Sequence, residues 1–204
     1  MIVPVIVGIS GGSASGKTTL ANKIQKEFGS NCSILSLDNY YKDFTKAGAD
    51  IDKVNFDEPS SLDIELFIEH LNQLKKGKPV EIPKYDYRTH GRTNFTSILV
   101  PDKLILVEGL FLYNISIPNS LFNFKIYVDT SDEVRFNRRM QRDVKERKRT
   151  PESILQQYST SVKPMYEKFV LPNKTLSDII INGDFFIAGE LKKITRAISK
   201  KLND

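Results

Sequence analysis

Residues 2–9 form an apolar run rich in β-branched side chains, of a length that suits a buried strand. Four more short apolar runs follow, at 33–37, 103–107, 125–128 and 178–181. Apolar residues succeed one another in them without alternation, so they read as strands covered on both faces. Between the strands the spacing becomes helical. Leu20, Ile24 and Phe28 recur every fourth residue in 16–28, and Gly29 stops the helix. Residues 62–74 predict a second helix, with Asp63 near its start and Gly77 beyond its end. A third spans 132–146, Pro151 opens a fourth that includes Gln157 and Tyr158, and 187–202 form an amphipathic closing helix. Residues 80–100 instead alternate apolar and polar positions around a polar, aromatic centre at 85–92, which predicts a long antiparallel hairpin. Residues 45–55 lack periodicity and read as loop or irregular helix. The alternation of strands with helices predicts a three-layer α/β fold. With no repeat and no linker, 1–204 read as a single domain carrying the hairpin at about 79–100 and a basic lid at about 135–157.

The turn after the first strand changes this picture from fold to chemistry. Gly11-Gly12-Ser13-Ala14-Ser15-Gly16-Lys17-Thr18-Thr19 fits the phosphate-loop pattern G-x-x-x-x-G-K-S/T from Gly11 to Thr18. Small residues let backbone N–H groups turn inward around phosphate oxygens, and the helix that starts here points its positive end at the same anion. Lys17 adds a mobile cation, and the Thr18 hydroxyl suits Mg²⁺. The strand before and the helix after are the context that the motif needs. The loop alone does not say whether water or another acceptor takes the phosphate.

Ligands in an open parallel sheet gather beyond the carboxyl ends of the strands. Four groups are expected there: the glycine loop, Asp38, Glu108 and Asp129. Mg²⁺ takes one or two carboxylates beside phosphates, and Asp38 and Glu108 are available for it. Asp38 also suits a general base that accepts the proton of an acceptor hydroxyl.

Net charge is +5, and its source is local. Residues 134–149 hold eight basic side chains against Asp143 and Glu146, a surplus of six that exceeds that of the whole chain. Such concentration argues for a phosphate clamp rather than a nucleic-acid surface. Arg139, Arg142, Arg147 and Arg149 are the expected clamp, with Arg135, Arg138 and Arg142 on one helix face; Lys145 and Lys148 read as solvated. Such a segment acts as a lid that excludes water. The hairpin centre and 55–59 add Phe56, Asp57, Tyr85, Tyr87 and His90, groups that stack on a planar base or bond its edges and hydroxyls. His70, in mid-helix, and the single cysteine, Cys32, read as packing. One cysteine precludes an internal disulfide and fits a reducing compartment. No apolar stretch approaches the length of a membrane span, and the N-terminus carries no basic leader, so a cytoplasmic protein is expected.

Six stretches together resemble the uridine kinase (uridine–cytidine kinase) family. They are the glycine loop, Asp38-Asn39-Tyr40-Tyr41-Lys42, Asn55-Phe56-Asp57-Glu58-Pro59, Pro83-Lys84-Tyr85-Asp86-Tyr87-Arg88-Thr89-His90-Gly91-Arg92, Val107-Glu108-Gly109, and the basic segment from Arg138 to Arg149. The resemblance implies a P-loop kinase with a five-stranded parallel sheet, a β-hairpin over the nucleoside and an arginine-rich lid. It implies transfer of phosphate from ATP or GTP, with Mg²⁺, to the 5′-hydroxyl of uridine or cytidine, commonly by a homotetramer. Asp38 then matches the base, and Thr18, Asp38 and Glu108 the Mg²⁺ neighbourhood. Tyr41, Phe56, Asp57, Tyr85, Tyr87 and His90 match the nucleoside pocket, Asp57 holding ribose hydroxyls and His90 the pyrimidine edge. Arg139, Arg149 and Gln157 match substrate-side clamps, with Arg142 and Arg147 nearer the donor.

The chain departs from the family pattern at three places. Glu58 replaces a histidine, Ser61-Leu62-Asp63 replaces Ala-Phe-Asp or Ala-Met-Asp, and Lys148 replaces a flexible glycine. A carboxylate at position 58, beside a ribose site, is expected to bear on the choice of nucleoside. Phosphoribulokinase-like and pantothenate kinase-like enzymes share the scaffold, but Tyr85 and His90 argue against both. A P-loop switch or nucleic-acid-binding NTPase would need a guanine-reading Asn-Lys-x-Asp, and Asn173-Lys174-Thr175-Leu176 fails at its last position.

Overall fold

The computed structural model describes residues 3–46, 48, 51, 54–113, 116–185 and 188–203. The expected strand start at Ile2, the expected helix start at Ile187 and part of the 45–55 loop lie outside them. Five parallel strands form the main sheet: β1 (Val5–Gly11), β2 (Cys32–Ser36), β5 (Leu104–Glu108), β6 (Phe124–Asp129) and β7 (Ile179–Asn182). Their order is β2-β5-β1-β6-β7, with β1 at the centre.

Both faces of the inner strands are covered, and successive residues serve opposite faces; the edge strand β7, expected to be covered on both faces, is covered on one only, with Ile180 exposed. Ile6, Ile105, Val107 and Tyr127 pack with α2 (Ile64–Lys75), through Phe67, Leu71 and Leu74. Val7, Ile9, Leu104, Leu106, Ile126 and Val128 pack with α1 (Lys17–Phe28), through Leu20 and Ile24, and with α6 (Ala188–Asn203), through Ile194 and Ile198. This two-sided burial explains why the strands read as unbroken apolar runs. Each such aliphatic side chain stabilises the fold by about 1.5–3 kcal/mol relative to exposure. Cys32 and His70 are indeed buried in packing roles, and His70 Nδ1 meets the Tyr40 hydroxyl at 2.8 Å. The Asp63 carboxylate caps α2 by accepting from Leu66 N at 3.2 Å.

Strands β3 (Val80–Asp86) and β4 (Gly91–Leu99) form a separate antiparallel hairpin, with a bulge between Pro83 and Tyr85. Arg92 ties it to the turn after β2. Its Nε donates to Tyr41 O at 2.9 Å and its Nη2 to Asp63 Oδ2 at 3.0 Å. Helix α3 (Asp132–Arg147) ends where Lys148 takes a left-handed conformation, φ 57° and ψ 33°. Thr150 then caps α4 (Pro151–Gln157). The chain stays helical beyond α4 through wide turns at Tyr158–Val162 and Tyr166–Val170, on either side of the short α5 (Lys163–Met165).

Strand register sets the site. β1 and β2 both pair with β5, so Ile9 and Ser36 each lie opposite Glu108. The ends of three strands therefore open onto one rim beneath the hairpin and α3.

Candidate active site

The loop between β1 and α1 needs glycine where the backbone leaves ordinary space. Gly16, the residue before α1, has φ 101° and ψ 15°, a left-handed conformation that costs glycine little. A Cβ on Gly11 would sit 2.6 Å from Val128 O. Among the described residues, no side chain caps α1 and none in its first turn is acidic, so its N-terminal amides face the cleft without a competing anion. Lys17 Nζ donates to Gly12 O at 2.8 Å. Burial pulls the Lys17 ammonium below its ordinary pKa, against Glu108 and Asp38, which hold it up. The loop is braced from behind: Thr130 Oγ1 donates to Ser15 O at 2.9 Å, and Arg135 Nε donates to Thr130 O at 3.2 Å.

One cleft of 1340 Å³ unites the expected groups. Ser13, Ala14, Gly16, Lys17, Thr18 and Thr19 line it from the loop, with Asp38 and Glu108 beside them. Tyr41, Phe56, Asp57, Tyr85, Tyr87 and His90 line it from the hairpin side, and Arg139, Arg142, Arg147, Arg149 and Gln157 from α3 and α4. Gly11, Gly12 and Ser15 do not line it; they shape the loop from the rear, where Ser15 is fully buried. Asp129 is not part of the site: it pairs with Lys174 Nζ at 2.7 Å. Arg135 and Arg138 do not act with Arg142 as one face. Arg135 is buried behind the loop, its guanidinium 3.8 Å above the Tyr166 ring. Arg138 reaches the cleft but donates to the carbonyls of Gly183, at 2.9 Å, and Asp184, at 3.2 Å. Lys148, expected to face only solvent, also borders the cleft.

Asp38 is carried by a 3₁₀ turn, Leu37–Tyr40, just past the end of β2. Its Oδ2 accepts from the Tyr87 hydroxyl at 2.6 Å. Burial and Asp38 push the Tyr87 phenol well above its usual pKa, which keeps it a donor. Glu108 is buried and accepts from Ser36 Oγ at 2.5 Å. Burial, and next Asp38, raise its pKa; Lys17, Ser36 and Thr18 work against the rise. Among the described residues no cluster of three or more His, Cys, Asp or Glu side chains suits a metal. Two carboxylates and a threonine hydroxyl beside a phosphate loop nonetheless fit Mg²⁺, which completes its shell with phosphate oxygens and water. A cation here would also relieve the repulsion between Glu108 and Asp38.

The aromatic groups form a continuous wall. Phe56 and His90 stack with centroids 4.6 Å apart, and Tyr41 lies 5.0 Å from Tyr85. Burial, then Arg149 and Arg147, lower the His90 pKa from its usual 6.5, so the ring is neutral at pH 7. Burial raises the Tyr85 phenol to about 12. Asp57 Oδ2 accepts from Ser161 Oγ and, at 3.4 Å, from Gln157 Nε2. Glu58 turns away from the cleft: it accepts from Asn55 Nδ2 at 3.0 Å and Ser60 Oγ at 3.2 Å, tightening its own turn. The carboxylate that replaces the family histidine therefore does not reach the pocket.

Arg139 links the two halves. Its Nη1 donates to Ser13 Oγ and its Nη2 to Gln157 Oε1, both at 2.9 Å. Gln157 also receives Arg149 Nη1, and its amide group reaches Asp57. The Arg147 guanidinium lies 4.0 Å above the Tyr87 ring. Sequence reasoning missed Ser36, Ser161, Arg92 and the role of Asp143. Two of them left a signal: Asp143 as an acid inside the basic run, and Arg92 as the end of the hairpin stretch that resembles the family.

Phosphate loop, parallel sheet and rim carboxylates define an α/β P-loop kinase. The model of the Phosphoribulokinase / Uridine kinase family matches residues 6–183, and the chain belongs to this family. A uridine kinase of Lactobacillus helveticus (strain DPC 4571) is 45% identical over 184 residues, 87% of this chain and 86% of that protein. A uridine kinase of Borreliella burgdorferi (strain ZS7) is 43% identical over 176 residues, 86% of this chain and 85% of the relative. Among solved structures, the phosphoribulokinase from Rhodobacter spheroides superposes with a TM-score of 0.65 at 14% identity, covering 88% of this chain and 70% of that one, a likeness of fold. Among the described residues no helix is long and apolar enough to cross a membrane.

Proposed function

We propose that this chain transfers the γ-phosphoryl group of ATP, or GTP, to the 5′-hydroxyl of uridine or cytidine, giving the nucleoside monophosphate. The observation that carries the proposal is the position of Asp38. Its carboxylate lies in one cleft with the phosphate loop and the aromatic wall, hydrogen-bonded to Tyr87 at 2.6 Å. The relatives named uridine kinase support the acceptor.

In this reading the amides of 13–19 and Lys17 hold the donor phosphates. Thr18, Asp38 and Glu108 would hold Mg²⁺, which would supply charge neutralisation to the donor phosphates. The pyrimidine lies against Phe56 and Tyr85, His90 reads its edge, and Asp57 orients the ribose hydroxyls. Asp38 accepts the 5′-hydroxyl proton as the oxygen attacks phosphorus, and ADP leaves. Arg139 and Arg149 act on the transferring group, and Arg142 and Arg147 on the donor. Buried Arg139 spans loop and acceptor, so its guanidinium is placed where charge develops. We place the enzyme in pyrimidine salvage in the cytoplasm, assembled as a homotetramer, as the family resemblance implies.

A panel of acceptors with ATP and Mg²⁺, scored by acceptor-dependent ADP release, tests the reading. Uridine or cytidine gives the highest rate, above ribulose 5-phosphate and pantothenate. No turnover with either nucleoside contradicts it.

A further inference from the structure

Asp143 is fully buried among arginines on α3. Arg142 Nε lies 2.8 Å from Oδ1 and Arg147 Nε 3.6 Å from it. Arg139 Nε lies 3.5 Å from Oδ2 and Arg149 Nη1 3.9 Å from it. One carboxylate thus meets four guanidiniums. It takes three of them by the Nε edge. Held by Nε, these three keep their Nη ends for other partners, and those of Arg139 reach Ser13 and Gln157. Arg149 meets the carboxylate through Nη1, which also reaches Gln157, and its Nη2 donates to Ser153. The Asp143 carbonyl also accepts from Arg149 N at 3.1 Å and from Lys148 N, so the same residue folds Arg149 back toward the site.

We propose that Asp143 is a positioning residue for phosphoryl transfer, the anchor that holds Arg139, Arg142 and Arg147 by Nε so that their terminal nitrogens face the phosphates, and that keeps Arg149 folded against them. The proposal rests on the kinase reading above. Its physical basis is that four like charges packed side by side repel and would swing outward without a shared anion. A single carboxylate offsets one of the four charges, which leaves the cluster matched to polyphosphate rather than self-neutralised. Asp143 Oδ2 and Arg139 Nε are both buried without a hydrogen-bond partner among the described residues, though they face each other at 3.5 Å. That pair has room to tighten when the other guanidinium nitrogens bind phosphate.

The proposal separates from a mere pool of charge by sign. Asp143→Asn removes a negative charge, so a charge pool would bind inorganic tripolyphosphate more tightly. A positioned fan binds it more weakly despite the added positive charge. The test measures tripolyphosphate affinity by calorimetry, and kcat and KM with uridine and ATP, on folded full-length protein. We expect weaker tripolyphosphate binding and a kcat lowered about a hundredfold, the usual cost of displacing catalytic groups by an ångström. Tighter tripolyphosphate binding, or a kcat within twofold of the parent, overturns the proposal. Should Asp143→Asn not fold, Asp143→Glu decides: it keeps the charge and moves the anchor by one methylene. The fan then loses about tenfold in kcat, whereas unchanged kcat overturns it. If the parent itself turns over no nucleoside, the kinase reading fails while the tripolyphosphate arm still judges Asp143.

Discussion

The Tyr87 hydroxyl donates to Asp38 Oδ2 at 2.6 Å, across 49 residues of sequence. In the proposed reaction Tyr87 therefore orients the base, Asp38, as well as walling the pocket. With one oxygen held by the hairpin, the other is left to face an acceptor hydroxyl. Tyr87→Phe keeps the ring, and its stacking under Arg147, but frees the carboxylate to rotate. A hydrogen bond to a charged group contributes about 1.5–3 kcal/mol. Nucleoside phosphorylation should fall roughly tenfold in kcat with the KM for ATP unchanged, as steady-state kinetics will read.

Asp38→Asn retains the shape of the base and removes its proton affinity. Phosphorylation of uridine should fall by about 10²–10⁴-fold, the range of general-base contributions. ATP binding, measured by calorimetry, should persist, because the amides and Lys17 proposed to hold the donor are untouched. Full activity in this variant would remove Asp38 as the base.

Glu108 is costly where it stands. Buried beside Asp38, its ionised form is disfavoured, and its pKa is raised above 4.5. Glu108→Gln preserves the acceptor for Ser36 while removing the charge. The ligand-free protein should melt no lower than the parent in a thermal scan, and the Mg²⁺ concentration for half-maximal rate should rise about 10–100-fold.

His90 sets an acidic limit. Its folded pKa lies below 6.5, so the fold favours the neutral ring. The stability this contributes is fully present above 6.5 and is lost as pH falls through the folded pKa. Uridine affinity should stay flat as pH falls from 8 through 6.5 and weaken only below that. In His90→Asn, affinity at pH 8 should fall and the acidic limb should disappear from a calorimetric pH series.

The sheet was legible because burial on both faces leaves unbroken apolar runs, and the glycine loop because its spacing is nearly unique. Strand ends were displaced by a few residues. Asp38 was expected at the lip of a strand; β2 stops at Ser36 and a 3₁₀ turn carries Asp38 onward. Periodicity put Arg135, Arg138 and Arg142 on one face, but their contacts divide them among Thr130 at the rear of the loop, the distant Gly183 turn and the neighbouring Asp143. Asp129 looked equivalent to Glu108 at its strand end; Lys174, 45 residues away, claims it. The contacts of Arg138 with Gly183 and of Asp129 with Lys174 depend on packing between distant segments, and no local pattern encodes them. Ser161 on Asp57, 104 residues apart, is another such contact.

Product analysis tests the central claim most directly. The protein is incubated with Mg²⁺, uridine and ATP labelled at the γ-phosphate, and the products are resolved by chromatography and ³¹P NMR. The account predicts label in the 5′-phosphate of UMP, formed in step with ADP. Label appearing only as inorganic phosphate, at a rate indifferent to uridine, would contradict it.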